Sequence, residues 1–174
     1  MGDVVWYATI VGVIVLSGLS IFYILYLAKM RRTKTNAAWK QAATELGLDF
    51  TPVTRMFGKY RMSGVIGQQL SCSVWAYTKP NNQGGYTTFM NYDVRFSQPL
   101  NKVKELLTPN IQSKLLEVNN VLKKVVVSDD SVNSIGMHGF IRKSEILVQN
   151  VKLLIQLAEL IIPNEEVDSI FEEI

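Results

Sequence analysis

The chain has 174 residues and a small excess of positive charge, with 18 Lys+Arg against 15 Asp+Glu. Its single cysteine, Cys72, excludes an intrachain disulfide and fits a reducing compartment. The lysines are scattered and do not form a basic stripe on a recognisable module, so we expect no binding to nucleic acid.

The first predicted element is an apolar run over residues 4–28, VVWYATIVGVIVLSGLSIFYILYLA, which holds no charged residue. As a helix it would extend roughly 37 Å at about 1.5 Å per residue, enough to cross a hydrocarbon core of about 30 Å with some tilt. Aromatic rings lie near both ends, where they prefer the headgroup level. We therefore predict one transmembrane helix, with interface aromatics at Trp6, Tyr7, Phe22, Tyr23 and Tyr26.

The charges that flank this run predict its orientation. Asp3 is the only charged side chain before it, whereas a basic cluster follows it directly. A secretory signal peptide has the opposite order, with positive charge first and a small-residue cleavage site after. By the positive-inside rule we predict a single-pass protein of the cell (inner) membrane, with the N-terminus outside and the C-terminal domain cytoplasmic. The cluster, which we also expect to contact anionic lipid, consists of Lys29, Arg31, Arg32 and Lys34.

Small residues within the run fit a helix-packing face. Ala8 and Gly12 form a small-xxx-small pair, and Ser17, Gly18 and Ser20 continue the series. Such positions let a second helix approach closely. Glycine is also common in membrane helices generally, so both interpretations stay open.

The chain divides into three predicted parts: a transmembrane anchor with a short outside N-terminus (1–30), a cytoplasmic α+β domain (31–163) and an acidic C-terminal tail (164–174). Without the span roughly 145 residues remain, close to the usual size of one domain. The tail holds five carboxylates in its last eleven residues and no basic residue.

The domain begins with a predicted helix, AAWKQAATELG, capped by Thr35 or Asn36 and ended by Gly47. Its apolar residues fall on one side at helical spacing, and we expect that side to pack on the domain. They are Ala38, Trp39, Ala42, Ala43 and Leu46.

Between residues 60 and 96 the apolar side chains alternate with polar ones, which is the pattern of half-buried strands. YRMSGVI, QLSCSVWAYT and YTTFMNYDVRF predict three antiparallel strands, joined by a two-residue turn at Gly67-Gln68 and a loop at 79–85. Two further strands, 124–128 and 134–142, flank a turn at 129–131. The predicted fold class is α+β: one N-terminal transmembrane helix, then a small domain with an antiparallel β-meander of about five strands packed by helices.

A helical segment over 100–122 follows the meander in two predicted pieces, the second capped by Thr108 with Pro109 in its first turn. The last strong element is a helix over 144–162, capped by Ser144, with one narrow polar stripe and an otherwise apolar surface. One apolar row can fill the core. We predict that the remaining row, with Leu153 and Leu160 seven residues apart, is a docking face that meets another chain or the membrane.

The order of these parts is similar to that of a loose group of uncharacterised prokaryotic membrane-anchored proteins with a small α+β cytoplasmic domain. The sequence matches their pattern W-x-x-x-A-x-x-L-G-L-x-F, which is followed by a glycine-containing strand pair and a final strand and helix. The resemblance covers most of the cytoplasmic region and implies a shared fold and no assigned activity. Its residues are Trp39, Ala43, Leu46, Gly47, Leu48 and Phe50.

No residue pattern predicts a catalytic, cofactor or metal site. His138 is the only histidine and cannot supply the usual nitrogen ligands of a zinc site. Cys72 has serine on both sides and no adjacent positive charge to lower its pKa, so we expect a core residue. Asp129 and Asp130 lack the glutamate of a calcium loop.

The sequence thus predicts a protein that is not an enzyme and holds no cofactor. The first hypothesis is an accessory or scaffolding subunit of a larger membrane complex. The alternative is a membrane-tethered sensor or adaptor that binds a ligand or a protein through exposed aromatics such as Trp75, Tyr77 and Phe89. Partners other than the membrane and membrane-complex subunits are not specified by the sequence.

Overall fold

A six-stranded antiparallel sheet with helices packed on one face forms the framework of the domain. The computed structural model describes residues 2–54, 58–100, 106–136 and 141–162. Its strands follow the order β1-β2-β3-β4-β6-β5 in the sheet. The α+β class and the antiparallel meander are confirmed, with six strands where about five were predicted. The elements are α1 (Gly2–Leu46), β1 (Asp49–Thr51), β2 (Tyr60–Ile66), β3 (Leu70–Pro80), β4 (Tyr86–Phe96), α2 (Pro109–Leu122), β5 (Val125–Val127), β6 (Ser131–Gly136) and α3 (Ser144–Ile161).

Helix α1 runs unbroken for 45 residues, so the prediction of a separate helix capped by Thr35 or Asn36 is wrong. Thr35 Oγ1 donates to the Arg31 carbonyl one turn earlier at 2.9 Å, and Asn36 bonds to the backbone of Val53. The sequence has no glycine or proline between residues 19 and 46, so nothing ends the helix there. It ends before Gly47, as predicted, where φ is +68°.

The second half of α1 packs its predicted apolar side into the core. Trp39 is fully buried, with its ring centroid 5.5 Å from Tyr60 and 6.5 Å from Phe50. Its indole Nε1 donates to the Ile141 carbonyl at 3.2 Å, which satisfies the polar end of the ring. The same side of the helix buries Ala38, Ala42 and Ala43.

Strands β3 and β4 supply the centre of the sheet, and their alternation is the predicted one. Every second residue from Leu70 to Ala76 is buried, and the inward residues of β4 from Met90 to Phe96 lie opposite them. The outward face differs at Asn91 and Asp93, which are also buried. β4 lies between two strands, and Asn91 is flanked in register by Trp75 and Ile135.

Two predicted turns differ from the structure. The β2–β3 connection has three residues, 67–69, because Ile66 pairs with Leu70. Ser97 holds this loop by donating from its backbone N to the Gln69 carbonyl at 2.8 Å, while Gly67 takes φ +61°. β6 begins at Ser131, three residues earlier than predicted, because Ser128 and Ser131 close the turn with hydrogen bonds.

Helix α2 begins as predicted. Ile111 N donates to the Thr108 hydroxyl at 3.4 Å, and Pro109 occupies the first turn. Most of the predicted helical piece before it falls outside the described residues.

Helix α3 departs from its prediction at two positions. Lys143 is the capping residue, without a side-chain cap bond, and Ser144 is buried within the helix. Asn150, on the side taken as apolar, is buried as well and donates from Nδ2 to the Tyr92 hydroxyl at 3.0 Å. Burial raises the pKa of Tyr92 to about 12, so this hydroxyl stays protonated.

Candidate ligand-binding cavity

A cavity of about 750 Å³ lies between α1 and one end of the sheet. This volume falls within the usual range of sites for small molecules. Its walls come from α1 over residues 25–35, the linker between β1 and β2, the first residue of β2, the facing ends of β3 and β4, and Arg142 before α3. Segments distant in the sequence therefore build it jointly.

Hydrogen bonds hold the linker against α1 and fix the first wall. The Asn36 amide forms two hydrogen bonds with the backbone of Val53, which we call the Asn36 clamp. Its Nδ2 donates to Val53 O at 3.1 Å, and its Oδ1 accepts from Val53 N at 3.2 Å. One turn earlier, Arg32 Nη1 donates to the Thr54 carbonyl at 2.8 Å. These bonds hold Val53 and Thr54, the described start of the linker, beside α1.

The hairpin of β3 and β4 forms the opposite wall. Thr78 and Thr88 face each other across the strands, with 3.3 Å between their hydroxyl oxygens, and both line the cavity. Tyr77 also lines it and stacks on Phe89 at 5.5 Å between centroids, while Lys79 Nζ lies 5.4 Å from the centre of the Tyr77 ring. Of the predicted outward aromatics, Tyr77 and Phe89 thus form a stacked pair.

The loop of this hairpin is held by its own side chains. Asn81 Oδ1 accepts hydrogen bonds from Gln83 N at 3.1 Å and Gly85 N at 2.8 Å. Gly84 takes φ +76°, a conformation that favours glycine. The wall therefore does not depend on a ligand for its shape.

The lining is cationic. Five cations contribute to it, and none of the described lining residues is a carboxylate; the cations are Lys29, Arg31, Arg32, Lys59 and Arg142. Within the described part of the chain, none of these five cations forms a salt bridge with an acidic residue. An anion is the ligand that such a lining favours.

Tyr60 is a buried residue that also lines the cavity. Burial raises the pKa of its hydroxyl, while the hydrogen bond with Thr35 and the charges of Arg32 and Arg142 act in the opposite direction. Because burial prevails, the phenol keeps its proton at neutral pH and remains a hydrogen-bond donor.

The cavity lies where the apolar part of α1 meets its basic cluster. Leu25 and Ala28 belong to the apolar run and line the cavity together with Lys29 and Arg31. The run itself is long and apolar enough to cross a membrane, judged by length and composition, and none of its most apolar window is buried. The site therefore lies next to the segment of α1 that is apolar enough to enter a membrane.

The structure gathers only some of the residues that the sequence singled out. Lys29, Arg31 and Arg32 line the cavity, and Lys34 does not. The aromatics Trp6, Tyr7, Tyr23 and Tyr26 are exposed along α1. The side chain of Ala8 lies outside the described part, while a Cβ added to Gly12 would meet no atom within 4 Å.

The remaining sequence candidates lie away from the cavity. Cys72 is buried in the sheet, where burial first and Asp93 second raise its pKa to about 12. Leu153 is half-buried against the core and Leu160 is exposed on α3, and their docking role stays a prediction. His138 lies outside the described residues. Among the residues that are described, no group of three or more His, Cys, Asp and Glu is placed to hold a metal ion.

Sequence reasoning missed Lys59, Tyr60, Tyr86 and Arg142 as members of one site. Lys59 precedes a short strand and Arg142 precedes a helix, and neither stands in a motif. Only their approach in the folded chain reveals them.

No protein-family model, curated protein or solved structure matches this chain. The resemblance to prokaryotic membrane-anchored proteins therefore stays an expectation.

Proposed function

We propose that this protein is a membrane-tethered binding module that holds a small ligand at the membrane surface. The first half of α1 spans the cell membrane once, the N-terminus lies outside, and the domain is cytoplasmic. The observation that carries the proposal is the position of the cavity, whose lining passes from Leu25 and Ala28 to Lys29, Arg31 and Arg32. Apolar and basic side chains meet in this order at the inner surface of a membrane.

The continuity of α1 supports a retained anchor over a cleaved leader. The helix continues without interruption from the apolar run into the turns that bury Trp39 and Ala42. Cleavage after the run would cut the helix within the segment whose Leu25 and Ala28 line the cavity. A retained span leaves that wall intact.

The packing of α3 makes the binding module the better candidate than an accessory subunit. This helix contacts α1, α2, β4 and β6, so the chain itself covers most of the apolar circumference that suggested a partner. One observation still favours a subunit: Ile146, Leu153 and Leu160 follow at steps of seven, with the first and last exposed. For that second candidate, Ile146→Glu with Leu160→Lys, which changes only the two exposed members, should leave a folded protein but reduce its complex size in mild detergent.

Topology is tested by cysteine labelling in intact cells. We expect Gly2→Cys to react with a membrane-impermeant maleimide and Asn120→Cys, at an exposed position of α2, to react only after permeabilisation. The wild-type chain is the control, because Cys72 is buried and its pKa is raised to about 12. Labelling of Asn120→Cys from outside would contradict the cytoplasmic placement.

Occupancy of the cavity is tested by native mass spectrometry of the full chain released from its own membrane. We expect a small molecule to accompany the wild type and to be lost from Thr88→Trp, which places an indole in the cavity. Val65→Trp is the matched control, since Val65 is exposed on the same sheet and does not line the cavity. A wild-type chain that carries no molecule, or an equal loss in both variants, would refute the binding module.

A further inference from the structure

The cavity contains two cations that membrane topology does not require. Lys29, Arg31 and Arg32 belong to the segment that the positive-inside rule explains. Lys59 and Arg142 do not, because they stand before β2 and before α3, far from the span in the sequence. The fold nevertheless brings both to the same cavity. A ligand with concentrated negative charge accounts for this convergence.

The hydrogen-bond donors of the cavity match phosphate oxygens. Guanidinium groups present paired N–H donors that suit phosphate geometry, and three of the five cations are arginines. On one face of the sheet, Tyr86 adds a phenol group and Thr78 and Thr88 add hydroxyls. The part of the lining that the structure describes thus offers several hydrogen-bond donors and no carboxylate that would repel a phosphate.

The apolar end of the cavity distinguishes a lipid from a soluble phosphate. Leu25 and Ala28 line it, and Ile21 precedes them on the same side of α1 at steps of four and three. Ile21 and Leu25 are exposed, so an acyl chain has an apolar path along the helix into the headgroup site. A free phosphate has no acyl chain that could occupy such a path.

We propose that the cavity binds the phosphate-bearing headgroup of an anionic phospholipid, with the acyl chain along α1 past Ile21 and Leu25, an inference that rests on the function proposed above. Lys59 and Arg142 contact the headgroup from the domain side, and Arg31 and Arg32 from the helix side. Basic pockets beside membrane helices bind anionic headgroups in this manner.

The test uses the full-length chain in neutral detergent and measures Tm during separate titrations with phosphatidylglycerol, phosphatidylcholine and inorganic phosphate. A ligand that binds the native state raises Tm as its concentration increases. We expect a saturable rise with phosphatidylglycerol alone. Lys59→Gln with Arg142→Gln should weaken the apparent affinity by about tenfold or more, because hydrogen bonds from charged donors are strong.

Lys40→Gln with Arg61→Gln is the matched control, since it removes two exposed cations that do not line the cavity. We expect the phosphatidylglycerol response of this control to equal that of the wild type. Equal weakening in both double variants would reveal nonspecific attraction to net charge and overturn the site. All four substituted side chains are exposed, and circular dichroism of each variant confirms that the fold is retained.

The other outcomes separate the sources of the ligand. An equal response to phosphatidylcholine would overturn the requirement for an anionic lipid, and an equal response to inorganic phosphate would assign the site to a soluble anion and overturn the lipid. If Thr88→Trp displaces a bound molecule that is not a phospholipid, the binding module stands and the headgroup inference fails. If no molecule is bound at all, both fail.

Discussion

The two halves of α1 each carry a tryptophan and present it to opposite surroundings. Trp6 in the first half is 65% exposed, whereas Trp39 in the second half is 0% exposed. Large apolar side chains are exposed along the first half, far more than soluble proteins leave in one contiguous patch. The second half is amphipathic, with a buried side and an exposed side that includes Lys40 and Gln41. Apolar character alone thus does not separate a span from a core helix; its distribution around the helix does.

The largest expected difference between the two halves lies in their tryptophans. Trp39→Ala should lower the free energy of unfolding of the domain by about 3–5 kcal/mol, because it removes a fully buried ring and leaves a cavity. Trp6→Ala should leave that free energy unchanged. Urea unfolding of the full chain in neutral detergent, followed by circular dichroism, measures both. Equal effects would mean that the halves do not differ in burial.

A charge placed in the first half tests whether that half lies in lipid. Leu16→Arg should oppose membrane insertion by about 2.5–3.5 kcal/mol, the cost of arginine near the centre of a spanning helix. The fraction of protein that resists carbonate extraction measures the effect. Gln41→Arg, on the exposed side of the second half, should remain fully membrane-bound. If Leu16→Arg also remains so, the apolar run does not span the bilayer.

The inner side of the sheet should behave as a dry interior, in contrast to the exposed run. The Cys72 pKa is raised to about 12 in the folded chain from an ordinary value of 9.0. Above pH 9 the unfolded chain loses the thiol proton while the folded chain keeps it, so stability falls. The loss should be about 1.4 kcal/mol per pH unit, continuing to about pH 12.

Cys72→Ala serves as the control for this pH effect. Its unfolding free energy should decline less steeply above pH 9 than that of the wild type, when both are measured by urea unfolding at a series of pH values. Parallel curves would show that the thiol ionises equally in both states and that water reaches this part of the sheet.

The smallest expected difference concerns polar side chains on α1. Asn36→Ala should cost about 1–3 kcal/mol, because the buried Val53 peptide loses both hydrogen bonds to the amide. Ser20→Ala should cost the domain almost nothing, since Ser20 Oγ donates only to the Leu16 carbonyl of its own helix at 2.8 Å. Urea unfolding of the two variants provides the measurement. A cost below about 0.5 kcal/mol for Asn36→Ala would show that the clamp does not hold the linker.

Patterns of neighbouring residues predicted those helices and strands that neighbouring residues determine. The alternation from Leu70 to Ala76 identified a central strand, and Thr108 with Pro109 identified the start of α2. Strand β1 was not predicted, because three residues are too few to show an alternation of apolar and polar side chains. Its pairing with β2 depends on contacts between residues distant in the sequence. Ser144 resembled a cap, yet the chain enters the helix one residue earlier, at Lys143.

The candidate cavity was less accessible to sequence reasoning than the fold. The basic cluster pointed to the membrane surface, and three of its four residues line the cavity. Lys59 and Arg142 carry no local signal, since an isolated cation before a strand or a helix is ordinary. Asn150 was likewise taken as part of an apolar side, because its partner, the Tyr92 hydroxyl, is supplied by another element.

The unbroken course of α1 gives the molecule a mechanical property. No glycine or proline lies between Leu19 and Leu46, so the helix has no hinge between its outer half and the core. From Leu16 to Trp39 the helix axis extends about 35 Å. If the straight helix tilts by about 10° around Leu16, Trp39 moves sideways by about 6 Å. A bilayer that thins or thickens alters such tilt. The helix therefore has no joint that would absorb a change of tilt in its first half before that change reaches the domain.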